Sequence, residues 1–462
     1  MTINKKYKPA FKAVEDSGKG EIVSEIDNVE GYDIYEYIMD NLYIMSKNLS
    51  DPNESIILDT LQWFRETFYK LYYVLPADII IQIFNLIYSS NESISKEALR
   101  VVGWACSFQS NMQDVLLENG LLDFLVSNFP EKCTLNLFYN LAALSESSRE
   151  ILIDSGYVEI LKSINDPQMT FILATQLYSL VNLPFQNPIP ELMSDIFTAF
   201  SHIWSNFQIE DRKYSELIIK ATNSLLRSND NFLYAFMEMR IYNYFLEVPE
   251  DLNEDDDFYL LSLFKMLTFI INQNEKFAVD LINNKVCDLV EEIVTNDYEN
   301  FPFSVPKALN FLTDLIFYRP DITENIYDRE IPHSVVDILD DLYSDGECMI
   351  EAISFVIVMM AMSSPMIFAQ LKYIGCYTML VSNIMSVEEI YWKWAIRVLF
   401  RGFVVDKVEE NDENRQFLSS CQELVGWLDN LKNDESDEIR NAALQLLVKI
   451  FPDYENENDN DN

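Results

Sequence analysis

The sequence of 462 residues contains only ten glycines and two histidines. Phosphate-binding loops and tight hairpins use glycine at positive φ, so this shortage argues against nucleotide-binding folds and multi-strand hairpin folds. Basic residues are also scarce, since 33 Lys and Arg stand against 75 Asp and Glu, for a net charge of -42. Nucleic acids and anionic membranes are bound by clustered cations. We therefore expect neither nucleic acid nor membrane as a partner.

The cysteines give no sign of a metal site or a disulfide framework. All six are widely separated, and no C-x-x-C pair occurs, so buried free thiols are predicted: Cys106, Cys133, Cys287, Cys348, Cys376 and Cys421. The N-terminal residues include lysines but no apolar run of the kind found in secretory signals. These features predict a cytoplasmic or nuclear protein.

One segment, AISFVIVMMAMSSPMIFAQL at residues 352–371, is uncharged and about as long as a membrane span. Its centre is Ser363-Ser364-Pro365. Because serine can cap a helix and proline fits the first helical turn, we expect this run to split into two short buried helices.

The second half of the chain repeats with a period of about 45 residues. Predicted starts of the second helix in successive units are separated by 45, 45, 45 and 46 positions: Arg240, Lys285, Glu330, Gly375 and Cys421. Small residues in the preceding helices keep a similar spacing: Ala308, Ala352, Ala395 and Ala442. Glycines 120 and 156 open two similar helices earlier in the chain.

The segments between these landmarks have helical periodicity, as at Val286, Leu289, Val290 and Ile293, and lack strand-like alternation. Units of this size cannot bury their own apolar faces and must stack on their neighbours. We therefore predict an all-α solenoid of about nine repeats over residues 31–452. The polar residues 1–30 and the acidic residues 453–462 are predicted to be disordered tails.

Two segments carry a family resemblance: SKEALRVVGWACSFQSNMQDVLLENGLLDFLVSNF and LNLFYNLAALSESSREILIDSGYVEILKSI. They resemble armadillo repeats, and over roughly residues 54–165 they are similar to those of importin-α, an adaptor for basic nuclear-localisation peptides. The resemblance implies a right-handed superhelix of the armadillo/HEAT type. It also implies proteins with basic or extended segments, and a transport receptor, as partners.

That family binds its peptide with Trp and Asn side chains four residues apart on successive third helices, which we call the ladder. Here the pair falls on Arg100 and Trp104, then on Asn136 and Asn140, then on Gln176 and Leu180. Further Asn positions fall on Arg227, Phe269, Asp314, Val358 and Val398, with Trp394 at a Trp position. The resemblance thus implies five candidate partner-binding residues: Trp104, Asn136, Asn140, Asp314 and Trp394.

Few residues in the sequence could support catalysis. His202 and His333 are 131 positions apart, and no nucleophile, phosphate-loop or zinc motif occurs. The calcium-like DLNEDDDFYLLS departs from its pattern at Asp256 and Ser262. We therefore predict a non-catalytic adaptor without cofactor or metal, which holds basic segments of partner proteins along an acidic inner groove. The alternative is a structural or regulatory scaffold, such as a chaperone cofactor, that uses the same solenoid without reading a peptide.

Overall fold

The computed structural model describes residues 34–71, 75–108, 110–129, 132–144, 146–182, 190–207, 212–246, 252–282, 286–295, 300–340, 346–409 and 413–452. Every regular element in these ranges is a helix, without a strand, which confirms the predicted all-α class. The chain divides into two compact units, residues 1–206 and 207–462, which are described separately. The predicted tails, 1–30 and 453–462, lie outside the described residues.

The first unit contains these α-helices: α1 (Ile34–Asn48), α2 (Glu54–Leu71), α3 (Ala77–Asn85), α4 (Glu92–Phe108), α5 (Ser110–Glu118), α6 (Leu121–Ser127), α7 (Lys132–Leu144), α8 (Glu146–Asp154), α9 (Tyr157–Ser163), α10 (Thr170–Val181) and α11 (Pro190–Ser205). Helices α4, α7 and α10 each close one repeat and are its third helix. Helix α2 packs on α4, α4 on α7, and α7 on α10. Fully buried apolar side chains such as Val102, Phe138 and Leu177 fill the space between them.

The second unit contains these α-helices: α12 (Arg212–Ser228), α13 (Asp230–Glu238), α14 (Asn243–Leu246), α15 (Asp257–Gln273), α16 (Glu275–Ile282), α17 (Val286–Thr295), α18 (Ser304–Tyr318), α19 (Thr323–Asp328), α20 (Ile331–Asp340), α21 (Gly346–Met362), α22 (Pro365–Tyr373), α23 (Cys376–Ser382), α24 (Trp392–Glu409), α25 (Glu413–Ser420), α26 (Gln422–Leu431) and α27 (Asp437–Ile450).

Third helices of the second unit stack in chain order, namely α12, α15, α18, α21, α24 and α27. Second helices form a parallel row in which α17 packs on α20, α20 on α23, and α23 on α26. This packing of each helix on its counterpart in the next repeat is that of an α-solenoid. The right-handed sense and the repeat number stay predictions.

The 45-residue register is confirmed by where the second helices begin. Their first residues are Asn243, Val286, Ile331, Cys376 and Gln422. Each start lies within the boundary error of about four residues.

In both units, a residue with positive φ lies in the turn before several second helices. Gly120, Gly156 and Gly375 have φ of 91°, 84° and 107°. Arg240 and Glu330 adopt φ of 54° and 62° at the equivalent turns without being glycine. An L-residue in this region costs about 1 kcal/mol. The turn geometry of the repeat is therefore kept even where its preferred residue is missing.

The alanines that mark the repeat are packed between third helices. Ala308, Ala352 and Ala395 are completely buried. In the last repeat the buried residue is Ala443, whereas the predicted landmark Ala442 is only half-buried. A shift of one residue turns a helix position by about 100°, which explains why the neighbouring alanine faces the core.

The uncharged run splits at the predicted place, although its first helix is 17 residues long and its second is only partly buried. Helix α21 ends at Met362, and Ser364 Oγ accepts the N–H of Ile367 (3.3 Å) to cap α22, with Pro365 in its first turn. Residues 352–361 of α21 are all buried, because α18 and α24 pack on either side. Among the described residues, no helix has both the length and the apolar character needed to cross a membrane.

The calcium-like segment is a helix cap. Asn253 Oδ1 accepts the N–H of Asp255 (3.0 Å), and Asp256 Oδ2 accepts the N–H of Asn253 (3.0 Å), which is a capping box. The next residue, Asp257, is buried and accepts the N–H groups of Phe303 (3.0 Å) and Ser304 (2.8 Å). Asp257 thereby caps the neighbouring third helix α18 from α15.

Candidate partner-binding site

Three of the predicted partner-binding residues lie in the first unit. Trp104 is half-buried on α4, and Asn136 is exposed on α7. Asn140 is only 5% exposed, and its Nδ2 donates to Ser107 Oγ (2.6 Å) and to the Gly103 carbonyl (3.4 Å). The Asn140 amide therefore joins α7 to α4. Its role in binding a partner stays a prediction, and its nitrogen would have to leave these contacts to meet a peptide.

Two other ladder positions of the first unit are also occupied by contacts within the fold. Gln176 is buried, accepts the Tyr157 hydroxyl (2.7 Å) and donates to the Leu135 carbonyl (3.1 Å). Arg100 forms an ion pair (2.8 Å) with Glu97, which is buried. Gln176 therefore connects neighbouring repeats, and the Arg100–Glu97 pair connects successive turns of α4.

In the second unit, two ladder positions hold an exposed arginine and a half-buried phenylalanine in contact with each other, and two are buried. The Arg227 guanidinium lies 4.5 Å from the ring centroid of Phe269, a cation–π contact between α12 and α15. Val358 and Val398 are completely buried. A partner's cation could use these positions only by displacing core or stacked groups.

Asp314 is different, because it presents a partly exposed carboxylate on α18. Its Oδ2 accepts a hydrogen bond from Asn272 Nδ2 (2.8 Å), and Asn272 Oδ1 accepts one from the Tyr318 hydroxyl (3.1 Å). Burial raises the pKa of Asp314, and the Asn272 hydrogen bond opposes this rise. Among the described residues at ladder positions, Asp314 is the one acid.

Glu351, on α21, lies beside the same face of α18. Its Oε2 accepts from Asn310 Nδ2 (3.1 Å), and Asn310 precedes Asp314 by one helical turn. Lys307 Nζ lies 3.7 Å from Glu351 but only 2.6 Å from Glu347, its closer partner. Burial is the largest cause of a raised pKa at Glu351, and Asn310 and Lys307 act against it. A second half-buried carboxylate therefore lies close to Asp314.

Three aromatic rings join α18 to the start of α24. The ring of Phe317, one turn after Asp314, is stacked with Tyr391 at 6.4 Å and meets Trp394 edge to face at 5.6 Å. Trp394 is half-buried, and the Arg397 guanidinium lies 5.5 Å from its ring centroid. Trp394 is therefore partly covered by a cation from its own helix.

Tyr391 lies at the centre of this cluster. Its side chain is only 6% exposed. Its pKa is raised to about 12, first by burial and then by the charges of Asp314, Glu351 and Glu388. We call Asp314, Phe317, Glu351, Glu388, Tyr391 and Trp394 the acidic–aromatic site.

The family pattern predicts Asp314 and Trp394 of this site but not Glu351, Glu388 and Tyr391. These three fall outside the ladder positions, so the family pattern does not point to them. The available signal was the spacing of Tyr391 and Trp394, one helical turn apart, and the same spacing of Asp314 and Phe317.

The other candidate reactive groups are the two histidines and the buried cysteines. The Nδ1 atom of His202 lies 3.0 Å from the Ile164 carbonyl oxygen, and His333 is exposed. Burial raises the pKa of the Cys106 and Cys376 thiols to about 12, which disfavours the reactive thiolate. The described residues contain no group of three or more His, Cys, Asp or Glu side chains placed to hold a metal ion.

Comparisons with protein-family models and with curated proteins find no match. Solved structures do match, among them the crystal structure of an engineered protein from the Northeast Structural Genomics Consortium. The two chains are 14% identical with a TM-score of 0.64, and the match covers 89% of this chain and 98% of the engineered one. At this identity the similarity supports the helical fold alone.

Proposed function

We propose that the protein is a non-catalytic adaptor of the importin-α type, which binds basic segments of partner proteins at the acidic–aromatic site. The observation that carries this proposal is the pair of half-buried carboxylates, Asp314 and Glu351. Each accepts a hydrogen bond from a neutral amide, and the nearest lysine is closer to Glu347 than to Glu351. The attraction of a cation from a partner would offset the desolvation penalty that raises their pKa values.

The overall charge of -42 supports the same partner chemistry, because it attracts cations over long distances. The resemblance to importin-α adds nuclear protein import as the cellular role, with a transport receptor as a further partner. Since most ladder positions are engaged in internal contacts, we expect a short localisation peptide to bind weakly. A dissociation constant of tens of micromolar, about -6 kcal/mol, is the expected range.

The test is a titration of a fluorescent, lysine- and arginine-rich peptide with the full chain, followed by anisotropy. Replacing Asp314→Asn together with Glu351→Gln should weaken binding about tenfold, or about 1.4 kcal/mol. These changes keep the acceptors for Asn272 and Asn310. The matched control, Glu423→Gln with Glu435→Gln, removes two exposed acids of the same unit and should have little effect. Equal loss in both variants would indicate general attraction without a site.

The alternative, a scaffold, has one specific observation in its favour. Phe258 and Phe303 are 52% and 53% exposed, and their rings are stacked at 5.2 Å. The backbone of Phe303 is held by the buried Asp257, so the pair is fixed in place. Such a pair suits an apolar contact. Binding that does not change with salt, although the Debye length shrinks to about 8 Å near 0.15 M, would favour this function.

A further inference from the structure

Helix α24 is basic in a chain where acids outnumber bases by 75 to 33. Residues 390–405 contain three basic residues and no acid. On a helix of about 3.6 residues per turn, Lys393, Arg397, Phe400 and Val404 lie along one stripe. All four side chains are exposed or half-buried. The stripe therefore presents cations and apolar groups to solvent.

Helix α27 lies beside this stripe along most of its length. Lys393 Nζ is 2.7 Å from Glu438, near the start of α27. Lys449, near the end of α27, is exposed and lies 5.8 Å from the Phe400 ring and 5.7 Å from the Phe403 ring. These contacts join the two helices into one surface. We call it the α24–α27 face, which consists of Lys393, Arg397, Phe400, Val404 and Lys449.

Two cations of the α24–α27 face have no acid beside them. Arg397 lies 5.5 Å from the Trp394 ring and Lys449 lies over phenylalanine rings, but neither forms an ion pair with any residue that the structure describes. Burial, and then the charge of Arg397, lower the pKa of the Arg401 guanidinium one turn away. Like charges at this spacing repel each other. The face is therefore complementary to a segment that carries negative charge.

The last ten residues of the chain, 453–462, carry such charge in a regular pattern. Their sequence, DYENENDNDN, has an acid at every second position and no base. In an extended chain alternate side chains point to the same side, about 6.7 Å apart, so the five acids would share one side. Residues four apart on a helix, such as Lys393 and Arg397, are about 6 Å apart along its axis. The spacing of the acids therefore matches that of the cations.

This tail begins within reach of both unpaired cations. Helix α27 ends at Ile450, one residue after Lys449. Because the Lys393–Glu438 ion pair joins the first turns of α24 and α27, the end of α27 lies about 12 Å along α24 from Arg397. An extended chain covers about 13 Å in four residues and about 20 Å in six. Acids in the second half of the tail can therefore meet Arg397, while those in its first half lie near Lys449.

We propose that residues 453–462 bind the α24–α27 face of their own chain as an extended acidic segment, with carboxylates paired to Arg397 and Lys449. This inference does not depend on the proposed adaptor function. The bound tail covers two cations that would otherwise attract acidic surfaces, including those of a second copy of this chain. An acidic segment of another protein could use the face only by displacing the tail, whose effective concentration within the same chain is in the millimolar range.

The test is a zero-length carbodiimide cross-link, which joins an amine to a carboxylate where the two groups are in contact. Arg397→Lys in the full chain supplies the amine. The matched control is Arg440→Lys, because Arg440 lies at a similar distance along the helices from the tail but pairs with Asp437. Peptide mass spectrometry should find cross-links from position 397 to residues 453–462 at a yield at least about fivefold above that of the control. Raising salt from about 0.1 M to about 1 M should reduce this yield at least about threefold, because the Debye length falls from about 10 Å to about 3 Å.

Mixing the variant with isotopically labelled chains before cross-linking shows whose tail is bound. Cross-links within one chain support the proposal, whereas cross-links between labelled and unlabelled chains mean that the tail of a second copy occupies the face, and overturn it. Equal yields from Arg397→Lys and Arg440→Lys, or a yield that salt leaves unchanged, also overturn it and leave the face to an acidic segment of another protein.

A second measurement needs no substitution. Thermal unfolding checks that each variant folds, and if Arg397→Lys is unstable, the wild-type chain offers Lys393 as the amine. Its cross-link to Glu438, 2.7 Å away, is the internal standard. A cross-link from Lys393 to residues 453–462 that weakens with salt supports the bound tail, and its absence overturns it.

Discussion

Helices α4, α7 and α10 of the first unit are joined by different chemistry from the third helices of the second unit, although an Arg65–Glu97 ion pair (2.7 Å) also links α2 to α4. In the first unit, neutral amides connect α4 with α7 and α7 with α10: Asn140 donates to Ser107, and Gln176 donates to the Leu135 carbonyl. In the second unit, a charged group lies between neighbouring third helices at each step from α12 to α27, as at Asp257, Asp314 and Arg401. The same helical packing therefore tolerates both solutions.

The difference shows what a shared repeat position does and does not imply. Asn140 and Asp314 occupy equivalent positions, but one is buried as a link between helices and the other is a partly exposed carboxylate. A neutral amide can be buried once its hydrogen bonds are made. A charge is costly to bury unless it is paired or hydrogen-bonded, as Asp257 is, and the Asp314 carboxylate remains partly exposed, where a partner can reach it.

The largest expected effect comes from the charged link between α21 and α24. Arg401 donates to the carbonyls of Ala361 (3.0 Å), Ser363 (2.8 Å) and Met360 at the end of α21. Arg401→Ala should destabilise the protein by about 3 kcal/mol, because charge-assisted hydrogen bonds are lost and carbonyls are left without donors. Denaturant unfolding measures the change. The exposed Arg397→Ala is the control, and an equal loss there would contradict the comparison.

The neutral link of the first unit should matter somewhat less. Asn140→Ala removes hydrogen bonds to Ser107 and Gly103 and should cost about 2 kcal/mol of stability. Asn136→Ala, on the same helix but exposed, should change stability by less than about 0.5 kcal/mol. Binding of a basic peptide should be unaffected by either change. Weaker binding with unchanged stability in Asn140→Ala would instead assign Asn140 the ladder role that the family resemblance implies.

The smallest expected effect is a pH dependence of stability. It distinguishes the titrating carboxylates of the second unit from the neutral amide of the first. Burial raises the pKa values of Asp314 and Glu351, so the folded protein holds their protons more tightly than the unfolded chain, in which such groups titrate near 4. Their contribution to stability therefore increases as pH falls through the folded pKa values and is lost as pH rises. Asp314→Asn with Glu351→Gln should be more stable than wild type at pH 7, by no more than about 1 kcal/mol because solvent screens partly exposed charges.

This advantage should disappear as pH approaches 4, which a series of denaturant titrations between pH 4 and pH 7 would measure. Asn140→Ala should show no comparable pH dependence, because no titrating group is changed. A constant advantage over the whole range would mean that the two carboxylates are not desolvated in the folded protein.

Part of the acidic–aromatic site could be predicted from the sequence. Asp314 and Trp394 fall at ladder positions of a repeat whose register is local, so the family pattern points to them. Tyr391 and Glu351 could not be selected in this way, since their proximity to Asp314 depends on the packing of α21 and α24 against α18. The internal partners of Asn140 and Arg227, which are Ser107 and Phe269, come from the neighbouring repeat and are equally invisible to a family pattern.

The helical class, the 45-residue register and the break at Ser364 follow from the sequence alone, because apolar periodicity, turns and caps depend on residues a few positions apart. Which side chains remain exposed depends instead on how neighbouring repeats pack. Whether Asn140, Arg227 or Asp314 is free depends on the groups that a neighbouring repeat places next to it. Burial makes the engaged amide of Asn140 a structural link, whereas the carboxylate of Asp314 remains partly exposed.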